Sequence, residues 1–129
     1  MPVYSKYCHM RFPQGKPKAL TLSYDDGVEQ DEKLIGLMER YRFKGTFNVS
    51  YGNVCPEGRL YESGRIHRPM TMKQLRKVYD KDFIELAIHG WHHPWLDELE
   101  PSVALREIYE DRLGWEKEFG IVVRGMAYP

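Results

Sequence analysis

Two clusters of residues have the types and spacing for hydrolytic chemistry. Asp25-Asp26-Gly27 sets two carboxylates side by side, and His89-Gly90-Trp91-His92-His93 sets two imidazoles at i and i+4. On a helical turn, side chains at i and i+4 share a face and can share a metal ion. The better-known pair of this spacing, H-E-x-x-H, carries its general base directly after the first His. Here that position is Gly90, so the base must come from elsewhere, and the Asp pair is the obvious supplier. Two His and one Asp make a three-ligand site with positions open for water and substrate, as a catalytic metal requires. Adjacent side chains at a strand-to-loop corner point in different directions. One carboxylate then ligates while the other is free to take a proton from water.

Each cluster alone is a weak signal. An isolated Asp-Asp-Gly is most often a turn, and H-x-x-x-H is less specific than a cysteine-based zinc pattern. His92 competes with His93 as ligand, and the i+4 spacing favours His93. Trp91 and Trp95 flank the imidazoles, and both stacking on a bound ring and core packing are open to them. His9 and His67 are expected at the surface. Glu85, inside an apolar run, is given no role.

The clusters gain weight from the elements that position them. Ala19 to Tyr24 alternates apolar and small polar residues, as a strand does, and stops at Asp25. A helix is expected from about Gln30 to Tyr41, with Leu34, Leu37, Met38 and Tyr41 on its buried face. Thr46 to Ser50 is a second strand, and Tyr51 to Pro69 a long surface loop. Thr71 and Gln74 form a capping box, which starts a second helix. Phe83 to Ile88 is a third strand, ending at His89. Pro101 to Phe119 is the strongest helical segment, with Leu105, Ile108, Tyr109, Leu113 and Phe119 on one side and Gly120 closing it. Ile121 to Val123 opens a fourth strand, with Tyr128 near its end. Strands alternating with helices predict an α/β fold with a parallel sheet, either open or part of a (β/α) barrel. Sites in such folds gather at the C-terminal ends of strands, which is where Asp25-Asp26, His89 and Tyr128 all fall.

Composition narrows the function classes. The chain has 129 residues, enough for one domain over 1–129. Lys plus Arg and Asp plus Glu number 19 each, so no net charge draws the chain to nucleic acid or an anionic membrane. No segment has the apolar length of a membrane span. Residues 1–13 have no apolar core of the signal-peptide kind, so the chain as given is expected in the cytoplasm, or outside the cell if an export signal has been removed. Cys8 and Cys55 are too few for a disulfide framework and are expected as free, buried thiols.

Four segments resemble one family. Thr21-Leu22-Ser23-Tyr24-Asp25-Asp26-Gly27 resembles the T-F-D-D-G motif of polysaccharide deacetylases, carbohydrate esterase family four. His89-Gly90-Trp91-His92-His93-Pro94 resembles that family's H-[ST]-x-x-H-P motif, and Gly45-Thr46-Phe47-Asn48 its A-T-F-F strand. Arg124 to Pro129 is similar to the start of its third motif, R-x-P-Y-G. The resemblance implies a deformed (β/α) barrel, here ending after the fourth core strand. It implies metal-dependent removal of acetyl groups from an acetylated sugar or polysaccharide. Asp25 would be the general base and Asp26, His89 and His93 the ligands of a divalent metal, zinc first, with cobalt and nickel as alternatives. A backbone N–H near Tyr128 would help to hold the oxyanion, Arg124 would orient Asp25, and Trp91 would meet substrate. Gly90 stands where the family has Ser or Thr, so a hydrogen bond to the site is expected to be lost. The family's fourth and fifth motifs, the latter with the proton-donating His, fall beyond Pro129. An alternative is therefore a catalytically incomplete metal-binding fragment that associates with another chain or copy through its open sheet edge.

Overall fold

The computed structural model describes residues 10–129. Cys8 and His9 lie outside the described residues. Three parallel strands form one sheet in the order β1-β2-β3, with β1 at Ser23–Asp25, β2 at Gly45–Val49 and β3 at Ile84–Ile88. Helix α1 (Gln30–Tyr41) links β1 to β2, α2 (Met72–Tyr79) precedes β3, and α3 (Pro101–Phe119) follows it. This is the alternating α/β order that the sequence pattern predicts. The register sets Asp25 opposite Asn48 and Val49 opposite Ile88, so strand ends line up on one rim.

Local signals explain the element boundaries. The Thr71 hydroxyl accepts the Gln74 N–H, and the Gln74 side chain accepts the Thr71 N–H, so the capping box forms as expected. Pro101 opens α3, where its missing N–H costs nothing, and Gly120 closes it in a left-handed cap. The central strand is buried along almost its whole length, as a parallel strand covered on both faces should be. Phe47, Val49, Leu86 and Ile88 of the sheet join Ile35 and Met38 of α1, Leu75, Val78 and Tyr79 of α2, and Trp115 of α3 in one core. No helix among the described residues is long and apolar enough to cross a membrane.

Four sequence expectations are corrected. First, β1 is short: pairing covers Ser23 to Asp25, and Leu20 is 80% exposed. As an edge strand it has only β2 to bond, and the ladder starts where the Leu22 carbonyl accepts the Thr46 N–H. Second, Ile121 to Val123 is not a strand. The Val123 N–H is taken by the Glu116 carboxylate, and pairing to β3 begins later, as one parallel bridge between Ile88 and Met126. Third, the buried face of α1 is rotated to Asp31, Ile35 and Met38, leaving Leu37 and Tyr41 exposed. Asp31 is drawn inward because it accepts the Tyr79 hydroxyl and the Val28 N–H. Fourth, α3 buries Asp111 and Trp115, while Leu105, Tyr109 and Leu113 stay exposed. The long loop after β2 is mostly exposed as expected, but it anchors itself with bridges from Cys55 to Thr71 and from Pro69 to Val28. Cys55 is free and buried.

Candidate metal and catalytic site

The Asp pair diverges because the backbone turns sharply between its members. Asp25 is still in β1, beside Asn48. The Asn48 amide donates to Asp25 Oδ1 at 2.8 Å, to Ser23 Oγ at 2.9 Å and to the Tyr24 carbonyl at 3.3 Å. Asp26 then adopts φ 76° and Gly27 φ 63°, two left-handed residues in succession. A left-handed non-glycine residue costs on the order of 1–3 kcal/mol and persists only when its surroundings impose it. Two bonds do so here: the Asp26 N–H donates to the Asn48 carbonyl (3.0 Å), and the Gly27 carbonyl accepts the Met70 N–H (2.9 Å). Gly27 has no substitute, since a Cβ there would lie 2.7 Å from Val49 Cγ1.

His89 ends β3 and is 3% exposed. Its Nδ1 faces the Ala127 carbonyl at 2.9 Å. A carbonyl only accepts, so Nδ1 carries the proton and Nε2 presents a lone pair. That Nε2 lies 4.0 Å from Asp26 Oδ1. His93 reaches the same oxygen with Nε2 at 3.4 Å, and the two imidazole rings are 4.7 Å apart. The expected helical turn is absent: a tight turn from Gly90 to His93 brings the rings together, with the His93 N–H on the Gly90 carbonyl and His93 itself at φ 59°. Gly90, at φ 78°, answers this backbone demand, which Ser or Thr would meet only with strain.

The donor set fits a divalent metal. Asp26, His89 and His93 each offer one atom, and all three lie within 4.8 Å of one another. A tetrahedral ion with ligand bonds near 2.0–2.1 Å sets its ligands roughly 3.3 Å apart, so modest closure would suffice. Two imidazoles and a carboxylate suit zinc, and also cobalt and nickel.

The remaining predicted residues divide. His92 does not join this donor set: its N–H and Nδ1 are both held by the Glu107 carboxylate at 2.8 Å. Trp91 is half-buried against Tyr51, with ring centroids 5.1 Å apart, and lines a groove with His92, Arg106, Glu107 and Glu110. Trp95 is exposed. Arg124 is exposed, and among the described residues no hydrogen bond or ion pair joins it to Asp25; Asn48 is the side chain that holds that carboxylate. Tyr128 is 75% exposed, whereas its neighbour Ala127 supports His89. His67 is exposed as expected, yet its Nδ1 comes within 3.9 Å of Asp26 Oδ2, and it lines a cleft beside Asp26 and His93 with Ser50, Asn53 and Arg65.

Two supporting residues escape sequence reasoning. Asn48 had a faint signal, a polar residue in an otherwise apolar buried strand. Asp111 had none, because the apolar pattern of α3 points to another face. Asp111 is fully buried, which pushes its carboxyl up to about 6 against the pull of the Tyr51 and His89 N–H groups.

Residues 13–129 match the family model described as polysaccharide deacetylase. Among solved structures, the chain is similar to the Streptococcus pyogenes deacetylase PplD in complex with acetate, at 24% identity and a TM-score of 0.69, over 88% of this chain and 46% of that one. It is similar to IcaB from Ammonifex degensii at 17% identity and a TM-score of 0.67, over 84% of this chain and 49% of that one. It is also similar to the peptidoglycan deacetylase PdaC from Bacillus subtilis at 21% identity and a TM-score of 0.60, over 84% and 48%. The chain thus spans about half the length of these structures. No curated protein matches it. With the motifs, the parallel α/β fold and a family match over almost all its length, the chain belongs to the polysaccharide deacetylase family.

Proposed function

We propose that the chain carries the metal-binding and base-bearing part of a hydrolase that removes acetyl groups from an acetylated sugar. The observation that carries this reading is the division of labour at the Asp pair. Asp26 Oδ1 faces both imidazole Nε2 atoms, while Asp25 turns away to Asn48. Asp26, His89 and His93 would hold a divalent metal, zinc by preference. Such an ion, when bound, polarises an acetyl carbonyl and acidifies water.

Each residue then has a separate task. Asp25, exposed at the rim and fixed by the Asn48 amide, takes a proton as water adds to the acetyl carbon. Collapse of the tetrahedral adduct breaks the bond to the sugar nitrogen or oxygen and frees acetate. The leaving atom takes up a proton, for which the family pattern expects a His beyond Pro129. A backbone N–H near Tyr128 would steady the oxyanion, as the family resemblance implies. The Trp91 groove, which shares His92 with the cleft, would suit a neighbouring sugar ring.

The test is acetate release from acetylated chito-oligosaccharides, with zinc supplied, by this chain and by a chain extended past Pro129. Release that disappears in Asp25→Asn supports the reading. Zinc bound with no acetate released by either chain overturns the hydrolase assignment.

A further inference from the structure

We infer that Asp111 is a positioning residue for the metal site, holding the ends of β2 and β3 at the spacing the ligands need. This role rests on the metal-site reading above. Asp111 lies in the middle of α3 and has no exposed surface. Its Oδ1 accepts the Tyr51 N–H at 2.7 Å, and its Oδ2 accepts the His89 N–H at 2.9 Å. Tyr51 opens the turn that follows β2, and His89 directly follows β3. One buried carboxylate thus bridges both strand ends through their main chains.

The bridge completes the fixation of His89. Its ring is fixed through Nδ1 by Ala127, and its carbonyl accepts the Ser50 hydroxyl at 3.3 Å. Its N–H is left to Asp111. Without that acceptor, two N–H groups next to the site lose their partner, and the strand ends are free to shift. A leucine would fill such a helix position with less desolvation, so packing alone does not account for an acid there. Partners that orient ligands from behind change metal affinity by roughly 10–100-fold when removed.

A matched control lies one turn along the same helix. Trp115 Nε1 donates to the Val49 carbonyl at 2.7 Å, another buried bond from α3 to a strand end, but not to a ligand residue. Zinc affinity is measured by competition with a chromophoric chelator, alongside thermal unfolding, for wild type, Asp111→Asn and Trp115→Phe. Asn keeps the shape but turns a donor towards one of the two N–H groups. The expected result is zinc binding weakened roughly 10–100-fold in Asp111→Asn, with Trp115→Phe losing thermal stability but not affinity. Equal affinity in wild type and Asp111→Asn overturns the role alone. An equal loss of affinity in Trp115→Phe reduces it to general stability. A wild-type chain that takes no zinc overturns the metal-site reading and this role with it. Should Asp111→Asn fail to fold, amide exchange in the wild type decides: zinc is expected to slow exchange at His89 and Tyr51, and unchanged exchange there refutes the bridge.

Discussion

Replacing Asn48 with Ala should damage both the fold and the placement of Asp25, the proposed base. Asn48 is 2% exposed, and its amide serves Ser23 Oγ, the Tyr24 carbonyl and Asp25 Oδ1. A hydrogen bond to a neutral group contributes about 0.5–1.5 kcal/mol net, and one to a charged group about 1.5–3 kcal/mol. The two amide hydrogens are shared among three acceptors, so the contacts do not add in full. Counting one charged and one neutral bond gives a loss of roughly 2–4 kcal/mol. A chain of this size loses roughly 3–5 °C of Tm per kcal/mol, so the midpoint should fall by about 6–20 °C. Thermal unfolding followed by circular dichroism reads this directly. Asn48→Asp sharpens the test. It keeps the volume but sets a second carboxylate against Asp25, so it should destabilise at pH 7 and recover as the pH is lowered. An unchanged midpoint in Asn48→Ala, or an Asn48→Asp chain as stable as wild type at pH 7, would refute the claim that this amide holds Asp25.

Two further substitutions follow from the geometry. Gly90→Ser restores the residue type common in the family, but the backbone there is left-handed and a Cβ would lie 3.2 Å from Pro94 Cδ. It should cost about 1–3 kcal/mol by chemical denaturation, and a stabilised variant would contradict the geometry. Asp111 sets a pH dependence. Burial raises its carboxyl from 3.8 to about 6, so the folded chain holds this proton more tightly than the unfolded chain does. Its contribution to stability is therefore greatest below about pH 4 and falls as the pH rises to about 6, by about 3 kcal/mol in total. Denaturant titrations of metal-free wild type and Asp111→Asn from pH 4 to 7 give the difference between them. That difference should shrink with rising pH, and a flat or growing difference would be inconsistent with the burial cost.

Much of the site was legible because its chemistry sits at chain punctuation. Asp25-Asp26-Gly27 and His89 both mark strand ends, and a strand end is visible as a break in an apolar run. His93 does lie beside His89, but not for the reason its spacing gives. The i+4 spacing suggested a helix, whereas left-handed residues at Gly90 and His93 make the turn. Helix existence was readable and helix orientation was not. In α1 and α3 a buried acid, Asp31 or Asp111, lies on the inward face. Each is buried because partners distant in sequence donate to it, and an apolar moment counts such a residue as solvent-facing. The fourth strand failed for a similar reason. Ile121-Val122-Val123 has the right composition, but the Glu116 carboxylate takes the Val123 N–H before the chain reaches Ile88.

Asp26, and not Asp25, is proposed to join His89 and His93 in holding a divalent ion. Calorimetric titration of zinc into wild type, Asp25→Asn, Asp26→Asn and His93→Ala tests it most directly. One zinc per chain is predicted in wild type and in Asp25→Asn, with binding lost in Asp26→Asn and His93→Ala. Binding that survives in Asp26→Asn and disappears in Asp25→Asn would contradict it.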